Sequence, residues 1–335
     1  MEIKKLQMNL EEDLGCNMSQ VEKNKNIEIE QAEDNISVQA KIVRDLVREF
    51  NQTAFLKTKL HDSRRGESDF DKEFKYPNHL ELTKFYMEKF NMELLQVKNS
   101  INKWVVMQLH GGGYVGTYKN SYRKFAGLYT ELGKGLSVLS LDYRVAPENP
   151  YPAALEDAIT AYDWLIERGY KEKNIILAGD SAGGGLAMAL CHYLKDNNRN
   201  LPGGIIAMSP WTDVTASGES YTDNYEIDPI FGNTKESLIY NNPYPKDEDP
   251  AQPYISPVNG NFEGFPPMLI QVGTYEMLLS DSRNVVKKAK EAGCRIRYTE
   301  YEGMFHVFQM ALTMVPESKR AWSEVGKFIE TLMEE

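Results

Sequence analysis

The run NIILAGDSAGGGLAMALCHYLKD, residues 174–196, passes from an apolar strand through a glycine-rich turn into an apolar helical pattern that ends in polar residues. The turn, Gly179-Asp180-Ser181-Ala182-Gly183, is a GxSxG sequence in the strand–turn–helix setting of a nucleophile elbow. Its spacing has a steric cause. The serine sits on a strained tight turn, and side chains at the two glycine positions would collide with the neighbouring strand and helix. A glycine turn that merely packs a helix on a strand would carry the same letters, and the apolar strand before it favours the nucleophile reading.

A serine hydroxyl is a poor nucleophile at neutral pH and needs a histidine to accept its proton. In this chain order the base lies carboxyl-terminal to Ser181, which leaves His192 and His306 of the five histidines. His192 is eleven residues into the following helix, about 16 Å along its axis, and cannot reach back. It reads as a packing residue. His306 lies in the loop EGMFH after the last predicted strand and is the expected base. Two carboxylates compete for the third position. Asp281 opens the helical run DSRNVVKKAKEAG, where a cap or first-turn acid facing the helix dipole accounts for it. Glu276 lies nearer the end of the strand MLIQVG without such an explanation, and is the expected acid.

Working outward, apolar strands recur at WVVMQL from Trp104, LSVLSL from Leu136, NIILAG from Asn174, GIIAMS from Gly204 and MLIQVG from Met268, and RIRYTEY from Arg295 closes the series. Strands apolar on both faces and separated by helical stretches predict an α/β fold, a mostly parallel doubly wound sheet whose ligands sit at the strands' carboxyl ends. LELTKFYMEKFNMELLQV, residues 80–97, predicts an antiparallel pair at the sheet edge. His110-Gly111-Gly112-Gly113-Tyr114 follows the first core strand, and three glycines free its backbone to point N–H groups inward. Gly112 and Gly113, with Ala182 after the serine, are the expected oxyanion hole.

Residues 211–267 hold no core strand, and an insertion leaving from a strand's carboxyl end reads as a lid. Val38, Ile42, Leu46 and Val47 fall on one helical face that Ser37 can cap, an amphipathic helix needing something to cover. Residues 1–36 read as a polar leader without chemistry, and 37–335 as a single domain with a cap from about 37–65 and from within about 211–260. Tyr114, Trp211, Phe231 and Phe305 are candidate pocket walls, each equally readable as packing.

The 335 residues carry a formal charge of −11, which weakens a role in binding nucleic acid or an anionic membrane. No apolar run approaches the roughly 18 residues of a membrane span, and the charged amino terminus lacks the apolar stretch of a secretory signal. A cytoplasmic protein is expected. Cys16, Cys191 and Cys294 show neither disulfide nor zinc spacing, so no metal site is expected.

With HGGGY at 110, DYRVAPENPYPAALEDA at 142, GDSAGGG at 179, and Glu276 and His306 behind them, the chain resembles the hormone-sensitive-lipase-like esterases, bacterial esterase family IV. From about residue 37 onward the resemblance implies an α/β-hydrolase core, a helical cap, no cofactor and a small ester as substrate. It implies a structural role for Arg144, Glu148 and Asp157. Many members have Asp as the acid, and a subset similar to this chain has Glu; many have proline where Phe305 stands. An amidase or a deacetylase of sugars or drugs would use the same residues, and plant gibberellin receptors resemble the family without catalysis, having lost the histidine present here. Oligomeric state stays open, a homo-oligomer included.

Overall fold

The structure, a computed structural model, describes residues 27–31, 36–52 and 67–335. Cys16, most of the expected leader and residues 53–65 of the expected cap lie outside the described residues. The strands are β1 Ile27–Gln31, β2 Leu80–Tyr86, β3 Asn91–Val97, β4 Val105–Leu109, β5 Ser137–Asp142, β6 Ile175–Asp180, β7 Gly204–Met208, β8 Met268–Gly273 and β9 Ile296–Tyr301. They form one sheet in the order β1-β9-β8-β7-β6-β4-β5-β3-β2, parallel except where β3 pairs with β2 and β5. The main helices are α1 Val38–Gln52, α2 Asn120–Leu132, α3 Ala153–Glu167, α4 Ala182–Asp196, α5 Leu279–Glu291 and α6 Pro316–Glu334.

Alternation along the strands explains why both faces are covered. Val105, Met107 and Leu109 of β4, with Ile175 and Leu177 of β6, enter one core beneath α3, α4 and α5. Val106, Ile176 and Ala178 enter the other, beneath α2 and α6, where Phe125, Trp322 and Val325 meet them. Successive strand residues point to opposite faces, so an unbroken apolar strand needs a helical layer on each side.

The sheet's order reverses between β4 and β6, and there the site is placed. Leu109 is in register with Gly179, so the loops beginning at His110 and Asp180 leave the sheet side by side. Residues 211–267 contain no strand, only a one-turn helix at Ser220–Asp223 and a short 3-10 turn at Pro257–Asn259.

Two expectations need correction. Within the polar leader, Ile27–Gln31 is a ninth strand, pairing in parallel with β9. Its isoleucines alternate with glutamates over only five residues, and backbone pairing with a strand from the far end of the chain makes it one. On α1, Val38, Ile42 and Leu46 are 68%, 55% and 59% exposed. The face turned inward carries Ala40, Val43 and Val47, which meet Tyr301, Met304, Phe305 and Phe308. The helix has two apolar stripes, and its tethers choose between them. Ser37 caps it through the Ala40 N–H, while its own N–H and hydroxyl donate to the Glu317 carboxylate at 2.7 and 2.8 Å. Arg44 donates to the Gly303 carbonyl at 3.3 Å from the same inward side.

Candidate active site

Ser181 ends β6 with φ 52° and ψ −123°, in the left-handed half of backbone space that serine rarely adopts. The glycines around it are there for want of room. A Cβ on Gly179 would come within 2.3 Å of the Gly183 backbone, and one on Gly183 within 2.0 Å of the Leu109 carbonyl oxygen. The turn closes only with hydrogen at both places.

Asp180, which the sequence reading left without a role, ties this turn to the glycine loop. Its buried carboxylate accepts the Gly111 N–H at 3.1 Å and the Tyr122 hydroxyl at 3.2 Å. Burial pushes that carboxyl up to about 6, and His306 and the two donors oppose the rise. His110 lies under the loop, stacked on Tyr143 with centroids 4.0 Å apart, its Nδ1 2.7 Å from the Gly111 oxygen. Burial holds its pKa down to about 4, so the ring is neutral. Gly112 and Gly113 have φ values of 110° and 62°. Among the described residues none accepts a hydrogen bond from either N–H, and Ala182, first in α4, has an N–H that no carbonyl of its own helix can reach.

At the ends of β8 and β9 the structure brings Glu276 and His306 together. Glu276 is fully buried and its Oε2 lies 2.9 Å from His306 Nδ1. Its Oε1 accepts the Gly273 N–H at 2.6 Å and the Ser209 hydroxyl at 2.7 Å. Ser209 in turn accepts the N–H of Val307 at 3.1 Å, so one hydroxyl joins the acid to the residue after the histidine. Ser209 and Val307 both have left-handed φ, 46° and 51°, a strain that a β-branched valine bears only when its surroundings impose it. Sequence reasoning missed Ser209. Its one signal is a polar residue at the mouth of the apolar strand GIIAM, beside the strand that leads to Glu276.

Asp281, five residues on, points elsewhere. It lies in the first turn of α5, but the N-cap is Leu278, and the side chain that accepts a first-turn N–H is Ser220, from Ser280 at 2.9 Å. The Asp281 carboxylate instead accepts the N–H groups of Thr212 and Asp213 at 2.7 and 2.8 Å and the Tyr221 hydroxyl at 2.9 Å. It fastens the root of the insertion to the body, so the expected helix cap becomes a tertiary link. His192 is a buried packing residue, its Nε2 3.0 Å from the Pro257 oxygen and its ring against Phe262 and Phe265. Arg144 pairs with Asp157 at 2.7 Å and also with Glu156 at 2.9 Å.

The insertion closes over this arrangement. Asn242 donates to the Gly113 oxygen at 2.8 Å, and a side chain begun at Gly113 would meet Leu238 at 3.2 Å and Trp211 at 3.6 Å. The Phe231 ring lies 4.8 Å from the His306 ring. Tyr114 stacks on Tyr244 at 3.8 Å, and Phe305 faces α1 in the packed cluster beneath it.

A strained serine at the switch point, a glycine loop beside it and a buried carboxylate–imidazole pair are the arrangement of the α/β hydrolases. The profile of that family, described as the alpha/beta hydrolase fold, matches residues 106–310. The chain belongs to it. An acetyl-hydrolase of Streptomyces hygroscopicus is 38% identical over 226 residues, covering 68% of this chain and 75% of that protein. Among solved structures, an esterase/lipase from an uncultured bacterium matches 89% of this chain and 100% of its own at 31% identity and a TM-score of 0.79. An esterase of the bacterial hormone-sensitive lipase family matches 89% and 99% at 31% identity and 0.76. The hydrolase therefore stands in the hormone-sensitive-lipase-like branch that its motifs resemble. Among its described residues no helix is long and apolar enough to cross a membrane.

Proposed function

We propose that this hydrolase is a carboxylesterase of small, short-acyl esters, with Ser181 as nucleophile, His306 as general base and Glu276 as the acid that orients it. The carrying observation is the buried Glu276–His306 contact of 2.9 Å on Nδ1. A carboxylate on Nδ1 keeps the proton there and leaves Nε2 as the lone-pair nitrogen, the form that can take a proton from a serine. Ser181 attacks the ester carbonyl, His306 receives its proton, and the N–H groups of Gly112, Gly113 and Ala182 meet the charge that develops on the carbonyl oxygen. His306 then protonates the leaving alcohol. Water, activated by the same imidazole, releases the acid from the acyl-enzyme.

Short acyl groups suit the roof formed by Leu238 and Trp211 over Gly113, and the name of the Streptomyces relative points the same way. Ser181→Ala and His306→Ala should each lower kcat by on the order of 10⁶ with the fold retained. Turnover of p-nitrophenyl esters from acetate to laurate is the test, with the maximum expected between acetate and hexanoate. A His306→Ala variant keeping a tenth of the activity would rule out the assigned base, and a preference for long chains would rule out the substrate class.

A further inference from the structure

The insertion does more than roof the site, because one short stretch of it grips the loop that carries Glu276. Asn224 donates through its side-chain amide to two carbonyls of that loop, Thr274 at 2.9 Å and Glu276 at 2.7 Å. Four residues on, the Asp228 carboxylate accepts the N–H of Met277, next to the acid, at 2.7 Å. Its other oxygen accepts the N–H groups of Ile230 and Phe231 at 2.7 and 3.0 Å, which sets the turn that holds the Phe231 ring against His306. Asp228 is 2% exposed. Arg48 of α1 donates to the Ile227 carbonyl at 2.7 Å and anchors the stretch from outside.

We infer that Asp228, with Asn224 beside it, is a positioning residue that sets the geometry of the Glu276–His306 pair from within the insertion. The inference rests on the reading of those two residues as acid and base. A buried carboxylate is costly, and a turn that needed only two N–H acceptors could have used a serine or asparagine. Here the same carboxylate reaches across to Met277 and stands in the electrostatic field of His306. Burial pushes the Asp228 carboxyl up to about 6, and its three N–H donors and His306 oppose that rise. Cations approach the clip from α1, Arg44 over the Tyr275 ring and Arg48 on Ile227, and from the insertion, Lys235 over the Tyr225 ring.

Asp228→Asn and Asn224→Ala in the full chain test the grip at its two ends. Both should lower kcat for p-nitrophenyl acetate by about tenfold to a hundredfold with KM within about threefold, since a misplacement of about 1 Å in a catalytic group costs that much. Parent kcat in Asp228→Asn, or a fall in kcat that comes with a raised KM and a lowered melting temperature, would overturn the inference. If Asp228→Asn does not fold, Asn224→Ala carries the test, and parent kcat in it overturns the inference. Labelling of Ser181 by a fluorophosphonate keeps the two readings apart. Labelled parent enzyme that turns over esters upholds the catalytic reading whatever Asp228 does, and failure of both fails that reading first.

Discussion

The two halves of the site are built by different means. Around Ser181 the frame comes from two adjacent strands and the residues that follow them, Leu109 in register with Gly179, Asp180 gripping Gly111 and glycines pressed on backbone, while Trp211 and Asn242 of the insertion add bonds to the carbonyls of Ser181 and Gly113. Around His306 the supports come from all over the chain. Ser209 stands at the end of β7, Asn224 and Asp228 in the insertion, and Arg44 on α1. The Ser181 half is a product of sheet geometry, whereas the half around Glu276 and His306 forms only when separate segments have docked. The first half should therefore tolerate changes around Asn224 and Asp228, and the second should not.

The largest effect that can break this contrast lies in the carboxylates five residues apart. Glu276→Gln should drop kcat by roughly 10³ to 10⁴ with little change in melting temperature, since it keeps the shape and loses the charge that stabilises the imidazolium. Asp281→Asn should keep kcat within about tenfold yet destabilise the fold by roughly 2 kcal/mol, because an amide cannot accept at both oxygen positions as the carboxylate does. Steady-state kinetics beside urea unfolding checks both. A dead Asp281→Asn and an active Glu276→Gln would move the acid to the other residue.

Ser209→Ala sharpens the contrast at a smaller scale. Losing the hydroxyl shared by Glu276 and Val307 should lower kcat by about tenfold to a hundredfold, with KM and fluorophosphonate binding at Ser181 less affected. Parent kcat would mean that the Gly273 N–H suffices to hold the acid.

What the letters disclosed follows the same division. The elbow, the HGGG loop and the core strands were legible because each is a local run whose chemistry is set by its neighbours. That Glu276 and His306 would stand near one another was legible through chain order and strand ends, and the 2.9 Å contact places them so. Asp281 is the first-turn acid the sequence offered, but its tie to Thr212 and Asp213 was not legible, because they are far away in sequence and no local pattern announces them. Ser209, Asn224 and Asp228 carry no motif at all. Strand β1 escaped for a related reason, since its isoleucine–glutamate alternation becomes a strand only beside β9. On α1 both stripes were apolar, and the tether of Ser37 to Glu317, rather than hydrophobicity, decided which faced inward.

The last effect is on stability alone, leaves kcat untouched and belongs to the body of the fold. Burial holds the His192 imidazole down from 6.5 to about 4. A base whose pKa is lower folded than unfolded contributes fully above its unfolded value and loses that contribution as pH falls through the folded one, up to about 3 kcal/mol here. The melting-temperature difference between the parent and His192→Gln, which can still donate to the Pro257 oxygen, should therefore shift against the parent between pH 6.5 and 4. A difference that stays constant across that window would mean the histidine is already charged in the folded protein.

The pairing of Ile27 with Ile296 also sets a clock. During synthesis the amino-terminal strand emerges first, and the strand it will join is made on the order of tens of seconds later, at about 5 to 20 residues per second. Closing so long a loop is entropically unfavourable, so that edge pairing belongs to the last steps of folding, after the central strands have found one another. The tie of Ser37 to Glu317 waits even longer, and with it the seating of α1 and the arginines that brace the second half. A newly made chain would thus hold a formed Ser181 turn before the supports around Glu276 and His306 are in place.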